Sequence, residues 1–165
     1  MVNINTEEYI ILEVQVIKLR PSKSSDVKHL AKTIRTICSD EIYAVNTALT
    51  PELLLKASLD SSKETFSIIK DGKCVAMLGY NELPEKTALV WLVTSEEILA
   101  MPITLVKILR KCFSYLKKEH NEIVGYIKSS VIKSMGRWYK WLGFEVIEED
   151  VAIGNGSFAK IIYRG

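Results

Sequence analysis

Histidine and cysteine are scarce in this sequence of 165 residues, and the few present stand far apart: His29 and His120, then Cys38, Cys74 and Cys112. None has the spacing of a zinc site, so no metal site is expected. An odd number of cysteines, each among apolar neighbours, excludes a disulfide framework and reads as buried free thiols in a reducing compartment. Both histidines sit among polar or charged residues and are expected to face solvent. No apolar run approaches the ~18 residues of a membrane span, and no basic-then-apolar leader opens the chain. The protein therefore reads as soluble, cytoplasmic and unprocessed, with no membrane partner. Neither charge sign dominates: the net charge is +2, with 25% of residues charged, which demands no polyanionic partner. Repeats, linkers and low-complexity stretches are also missing, and residues 1–165 read as one domain.

What is present alternates between strand and helix signals. After a polar opening, the β-branched run from Tyr9 to Ser22 predicts a first strand, ended by Arg20-Pro21-Ser22. A helix follows, with Ser24 or Ser25 as cap and Val27, Leu30, Ala31, Ile34 and Ile37 on one face. A helix pair comes next, broken before Pro51, with Thr50 as cap and the proline in the first helical position. Lys70-Asp71-Gly72-Lys73 between two apolar runs predicts a tight hairpin. "TALVWLV", residues 87 to 93, reads as a central strand buried on both faces. A long helix from Pro102 carries Leu105, Leu109, Cys112, Phe113 and Leu116 as a core stripe, with Lys107, Arg110, Lys111, Lys117 and Lys118 opposite. A strand over 122 to 129 leads to a last helix holding Val131, Met135, Trp138, Tyr139 and Leu142 on one side, stopped at Gly143. Two strands around Gly154-Asn155-Gly156 close the order. Such a pattern predicts an α/β fold, a mixed central sheet of about seven strands with helices on both faces.

That order, with Tyr139-Lys140-Trp141-Leu142-Gly143-Phe144 at the last helix-to-strand corner, resembles the GNAT superfamily of acyl-CoA-dependent N-acyltransferases. "WLVTSEE" followed by a basic helix and "RWYKWLGFE" further resembles the small GNAT-like proteins of short-tailed bacteriophages, a family named for an internal virion protein. The first resemblance implies acetyl-CoA as co-substrate, inserted where the strand Thr87 to Val93 splays from the strand Glu122 to Ser129. Leu92, Val93 and Thr94 would line the arm, with an amide near Val93 on the thioester oxygen. Tyr139 would be the general acid, and transfer to a primary amine would be direct, since no cysteine lies in the motifs. Ser129 and Ser130 stand where the superfamily has a polar residue nearby, and also suit a helix cap.

The sequence departs from that family where the pyrophosphate binds. "VTSEEILAMPI" has no glycine and no cation, and Glu96 and Glu97 oppose an anion. It reads as a capping box of Thr94 and Glu97, leaving Lys133, Lys107 or Arg110 as substitutes for the missing loop. The fourth strand offers no general base, so Glu82, Asp40 and Glu41 are the candidates, and Ile132 replaces an asparagine frequent in the family. The alternative is a non-catalytic GNAT-fold phage protein, acting in a virion or on a host protein. Lys133, Arg137 and Lys140 beside Trp141 also allow a weaker nucleic-acid reading. A leucine-rich hairpin, Leu49 to Leu59, suits either the core or a second copy.

Overall fold

The computed structural model describes residues 8–12 and 15–165; the polar opening at 1–7 and residues 13 and 14 lie outside them. The run expected to form one strand is two: β1 (Glu8–Leu12) and β2 (Gln15–Pro21) pair antiparallel, with Leu12 opposite Gln15. A continuous β-branched run gives no Gly, Asn or Pro to mark the reversal. Next come α1 (Ser24–Thr33), α2 (Thr36–Val45) and α3 (Pro51–Ser61), and then β3 (Glu64–Lys70), β4 (Lys73–Leu83) and β5 (Thr87–Thr94). A 3₁₀ turn over Glu96–Ala100 precedes α4 (Pro102–Leu116). The chain continues through β6 (Glu122–Lys128), α5 (Ser129–Leu142), β7 (Phe144–Ile153) and β8 (Gly156–Tyr163). The eight strands form one mixed sheet in the order β1-β2-β3-β4-β5-β6-β8-β7.

Several elements follow from local chemistry. The β3–β4 hairpin turns on Asp71 and Gly72, both at positive φ (47° and 79°), as a two-residue turn between twisted strands requires. Thr50 caps α3, its hydroxyl accepting from the Leu53 amide at 3.2 Å, and Gly143 ends α5 in the left-handed region at φ 106°. The helix read through Val27 to Ile37 instead breaks in two. Ile34 and Arg35 turn extended because Ile34 bridges Ser95, an attraction from across the sheet that overrides local periodicity. At the N-terminus of α1, neither Ser24 nor Ser25 is the cap. Lys23 takes that position, and its amide donates to the buried Asp26 carboxylate at 2.8 Å.

The two sheet faces bury separate cores. Val27, Leu30, Leu55, Cys74, Met77 and Val93 pack under α1 to α3. The larger core, under α4 and α5, includes all five residues of the expected α4 stripe, each such side chain contributing about 1.5–3 kcal/mol by leaving water. Cys38, Cys74 and Cys112 are buried free thiols. His120 is not solvent-facing: it is 6% exposed, bonds the Leu116 carbonyl through Nδ1 at 2.9 Å and packs edge-on against Tyr80. His29 is half-buried with Nε2 enclosed. Their polar sequence neighbours lie on other sides of the helix and turn, which composition cannot resolve. At the far end, the β7–β8 tip docks on α2: Asn155 N donates to Ala44 O at 3.0 Å, and a Cβ on Gly154 would come within 1.9 Å of the Val45 carbonyl.

Candidate active site

A gap opens at the middle of the sheet. β5 and β6 pair in parallel only where Thr87–Leu89 faces Glu122–Val124; beyond that, β6 follows β8 while β5 stays with β4 to its end. Strand residues turn both polar groups to one neighbour, in alternation. The bond from Ser95 N to Val75 O (2.8 Å) therefore sets the odd residues of this stretch toward β4 and turns Val90, Leu92 and Thr94 toward the gap. The amide expected near Val93 thus belongs to Leu92 or Thr94, since Val93 faces Met77 on β4. The Thr94 carbonyl already accepts from Arg35 N at 2.9 Å, so the edge offered to an extended ligand runs from Val90 to the Thr94 amide.

One face of α2 lies over the open end of this gap. Arg35, Cys38 and Glu41 recur at the three-residue spacing that stacks side chains along a helix. Cys38 Sγ is 3.7 Å from the Thr94 hydroxyl, and Glu41 Oε1 accepts from the Lys128 amide at 3.0 Å, where β6 passes into α5. α5 contributes Tyr139, which packs edge-on against Trp138 with ring centroids 5.1 Å apart. Burial pushes the Tyr139 phenol far above its ordinary pKa; Glu41 and Cys38 are close enough to push the same way, and Arg35 opposes them. Burial likewise raises the Glu41 carboxyl, against the pull of the Lys128 amide and charge. Cys38 is raised by burial too, with its bonds to Thr94 opposing, which leaves it a thiol rather than a nucleophilic thiolate. Tyr139, Glu41 and Cys38 thus lie close enough for the charge of one to act on another, next to the stretch of β5 that β6 leaves. Among the described residues no cluster of His, Cys, Asp and Glu suits a metal ion.

The other residues singled out from the sequence fall at the rim. Ser129 and Ser130 do not cap α5, whose N-cap is Lys128; the Ser129 hydroxyl pairs with Ser157 at 3.0 Å, and Ser130 is exposed. Lys133, Arg137 and Lys140 are exposed on α5, next to a Trp141 that is 49% exposed. The expected capping box is not formed: Ser95 holds the N-cap position of the 3₁₀ turn, Thr94 turns to Cys38, and the Glu96 carboxylate accepts from the Thr36 amide at the start of α2 (3.4 Å). Of the alternative bases, Glu82 pairs with Lys63 at the surface and Asp40 is exposed, whereas Glu41 reaches the gap. Arg35 and the placement of Cys38 escaped sequence reading; the signal was the 35/38/41 spacing, hidden by the helix break just before it. Behind Tyr139, a hollow of about 380 Å³ opens between α5 and β7–β8, lined by Ile132, Gly136, Phe144 and Val146.

This sheet order, with its splayed central strands and closing β8-before-β7 pairing, is the GNAT fold, and comparison with solved structures shows the same. The GNAT domain of S. lividans PAT superposes with a TM-score of 0.66 at 11% identity over 95% of this chain and 96% of that one. AAC(6')-Ib, solved with paromomycin and acetyl-CoA, gives 0.64 at 14% identity over 90% and 93%. A spermidine N-acetyltransferase chimera from Vibrio cholerae gives 0.61 at 10% identity over 89% and 94%. At these identities the likeness establishes the fold. No family model matches the chain, and no curated protein is significantly similar to it in sequence.

Proposed function

We propose that the protein is an acetyl-CoA-dependent N-acyltransferase that moves the acyl group directly to a primary amine, residues 1–165 acting as one domain. The observation that carries this reading is the meeting of Tyr139, Glu41 and the open edge of β5 at the splay. The amides of Leu92 and Thr94 would pair with an extended pantetheine arm and hold the thioester oxygen as charge develops on it, a contribution of about 3 kcal/mol in comparable sites. Glu41 takes the proton from the attacking amine through a water, and Tyr139 protonates the departing thiolate. Cys38 stays a thiol, in keeping with direct transfer. Amine acceptors of small size are supported by the amines named for two of the similar structures, spermidine for an N-acetyltransferase and paromomycin bound with acetyl-CoA in AAC(6')-Ib.

The test is release of free thiol from acetyl-CoA in the presence of a panel of polyamines, aminoglycosides and peptide amines. Amine-dependent release is expected; no release above hydrolysis with any amine would sink the reading. A second reading, a non-catalytic phage protein of this fold bound to a virion or host component, is favoured by the glycine-free stretch from Thr94 to Met101, where Glu96 caps α2 instead of facing a ligand. Its cytoplasmic or virion location rests on the sequence resemblance. The exposed Lys133, Arg137 and Lys140 also keep nucleic acid as a minor reading; a salt-independent affinity for oligonucleotides would remove it.

A further inference from the structure

The hollow behind Tyr139 is walled by Ile132, Phe144, Val146, Ile161 and the Tyr139 ring, with about 380 Å³ between them, a size at which small-molecule sites occur. Gly136 keeps the room: a Cβ there would meet nothing within 4 Å. Ile132 and Gly136 follow Lys128 at four-residue steps along one flank of α5, about 6 Å apiece. The Lys128 amide holds the Glu41 carboxylate at 3.0 Å, so the hollow starts about one helical turn from the proposed base. Tyr139 ties the two places a second time, since its ring borders the hollow and the charge of Glu41 acts on its phenol. Charged groups stand only at the rim. Glu145 is engaged by Arg164 at 3.0 Å, and Lys140, exposed on α5, opposes a second ammonium brought there. Val146 is 36% exposed, which leaves the side over β7 open to solvent.

We propose that the amine acceptor carries an uncharged alkyl or aryl body, which fills this hollow while the amine nitrogen stands at Glu41. This rests on the N-acyltransferase reading, keeps acetyl-CoA as donor and names the acceptor class: small and apolar, not polycationic. A second ammonium in the hollow would find its single carboxylate already engaged and Lys140 facing it, whereas each methylene taken from water there adds to binding. The exchange balances without a further reactant. The amide C–N bond forms as the thioester C–S bond breaks, and the amine proton passes to Glu41 through a water. CoA departs as the thiol with the proton from Tyr139, and solvent returns a proton from Glu41 to Tyr139.

The experiment compares kcat/KM for ethylamine, butylamine, hexylamine and spermidine in the thiol-release assay with acetyl-CoA. Values should rise about threefold with each methylene from ethylamine to hexylamine, and hexylamine should exceed spermidine by about tenfold. Gly136→Leu, which puts a side chain into the hollow, should flatten the alkyl series. Val146→Glu, at the open rim, is the second variant and should shift the ratio of hexylamine to spermidine about tenfold toward spermidine. A flat series in the parent protein, spermidine ahead of hexylamine, or a series left equally steep by both variants overturns the proposal while the acyltransferase reading stands. Release with aminoglycosides or peptide amines alone has the same meaning. Release with no amine of any kind overturns both.

Discussion

At the scale of single residues, the proposed reaction divides its proton transfers between Tyr139 and Glu41, and their environments suit the division. A phenol raised by burial and by a neighbouring carboxylate stays protonated across the working range and can only give a proton. Tyr139→Phe should lower kcat about 10²-fold with little change in KM for the donor, measured in the thiol-release assay. Glu41 must be ionised to accept a proton, and its pKa is raised. Activity should therefore fall as pH drops through a value above the ordinary carboxylate range, and Glu41→Gln should remove that acid limb from the kcat/KM profile. Cys38 gives the third test at this scale. Cys38→Ala should keep turnover within a few-fold, and an acyl group trapped on Cys38 by mass spectrometry would contradict direct transfer. Sequence periodicity placed Tyr139 on its helix but could not show that Glu41 faces it. The two lie almost a hundred residues apart, and their meeting depends on where β5 and β6 separate.

At the scale of elements, legibility followed the range of the forces involved. The Asp71-Gly72 turn, the Thr50 cap and the α4 stripe each depend on residues within a few positions, and each could be read directly. The Ile34–Arg35 break depends on Ser95, and the first hairpin depends on a strand partner, so neither left a local signature. The start of α1 shows the same limit. Asp26 is 5% exposed and accepts two bonds of 2.8 Å from Arg20, with the Lys23 amide and Ser67 hydroxyl completing its set. Burial alone would raise its pKa, but the Arg20 bonds, then the Lys23 and Ser67 bonds, outweigh it and hold the carboxyl below its ordinary value. A depressed pKa stabilises the fold above the ordinary carboxylate range and ceases to do so as pH falls through the folded value. Asp26→Ala, which removes the acceptor of two Arg20 bonds at a buried site, should cost about 3 kcal/mol at neutral pH, seen as a lower denaturant midpoint. The variant should also lose less stability than the parent on acidification.

At the scale of the whole molecule, the sheet's two faces carry different tasks. The α4–α5 side holds the larger core and Tyr139, and the α1–α3 side contributes Arg35, Cys38 and Glu41. The gap in the sheet is the place where the two sides meet, so a ligand seated there links both cores. A donor analogue that binds the folded state alone should raise the melting temperature, by an amount equivalent to about 2.7 kcal/mol at a hundredfold excess over Kd, read by calorimetry with an unreactive thioether analogue of acetyl-CoA. No shift at millimolar analogue would contradict ligand binding in the gap.

The hairpin of β7 and β8 sits against the end of α2, with no room for a side chain between Gly154 and the Val45 carbonyl. β8 also inserts between β6 and β7. Both elements leave the ribosome after every other described element. The emerging chain can form α2 and the first strands early, but the helix gains its final seat, and β6 its second neighbour, only when residues 154 to 163 are free to fold back. The order of synthesis therefore leaves the final seating of α2, and with it the placement of Cys38 and Glu41, to the last residues of the hairpin.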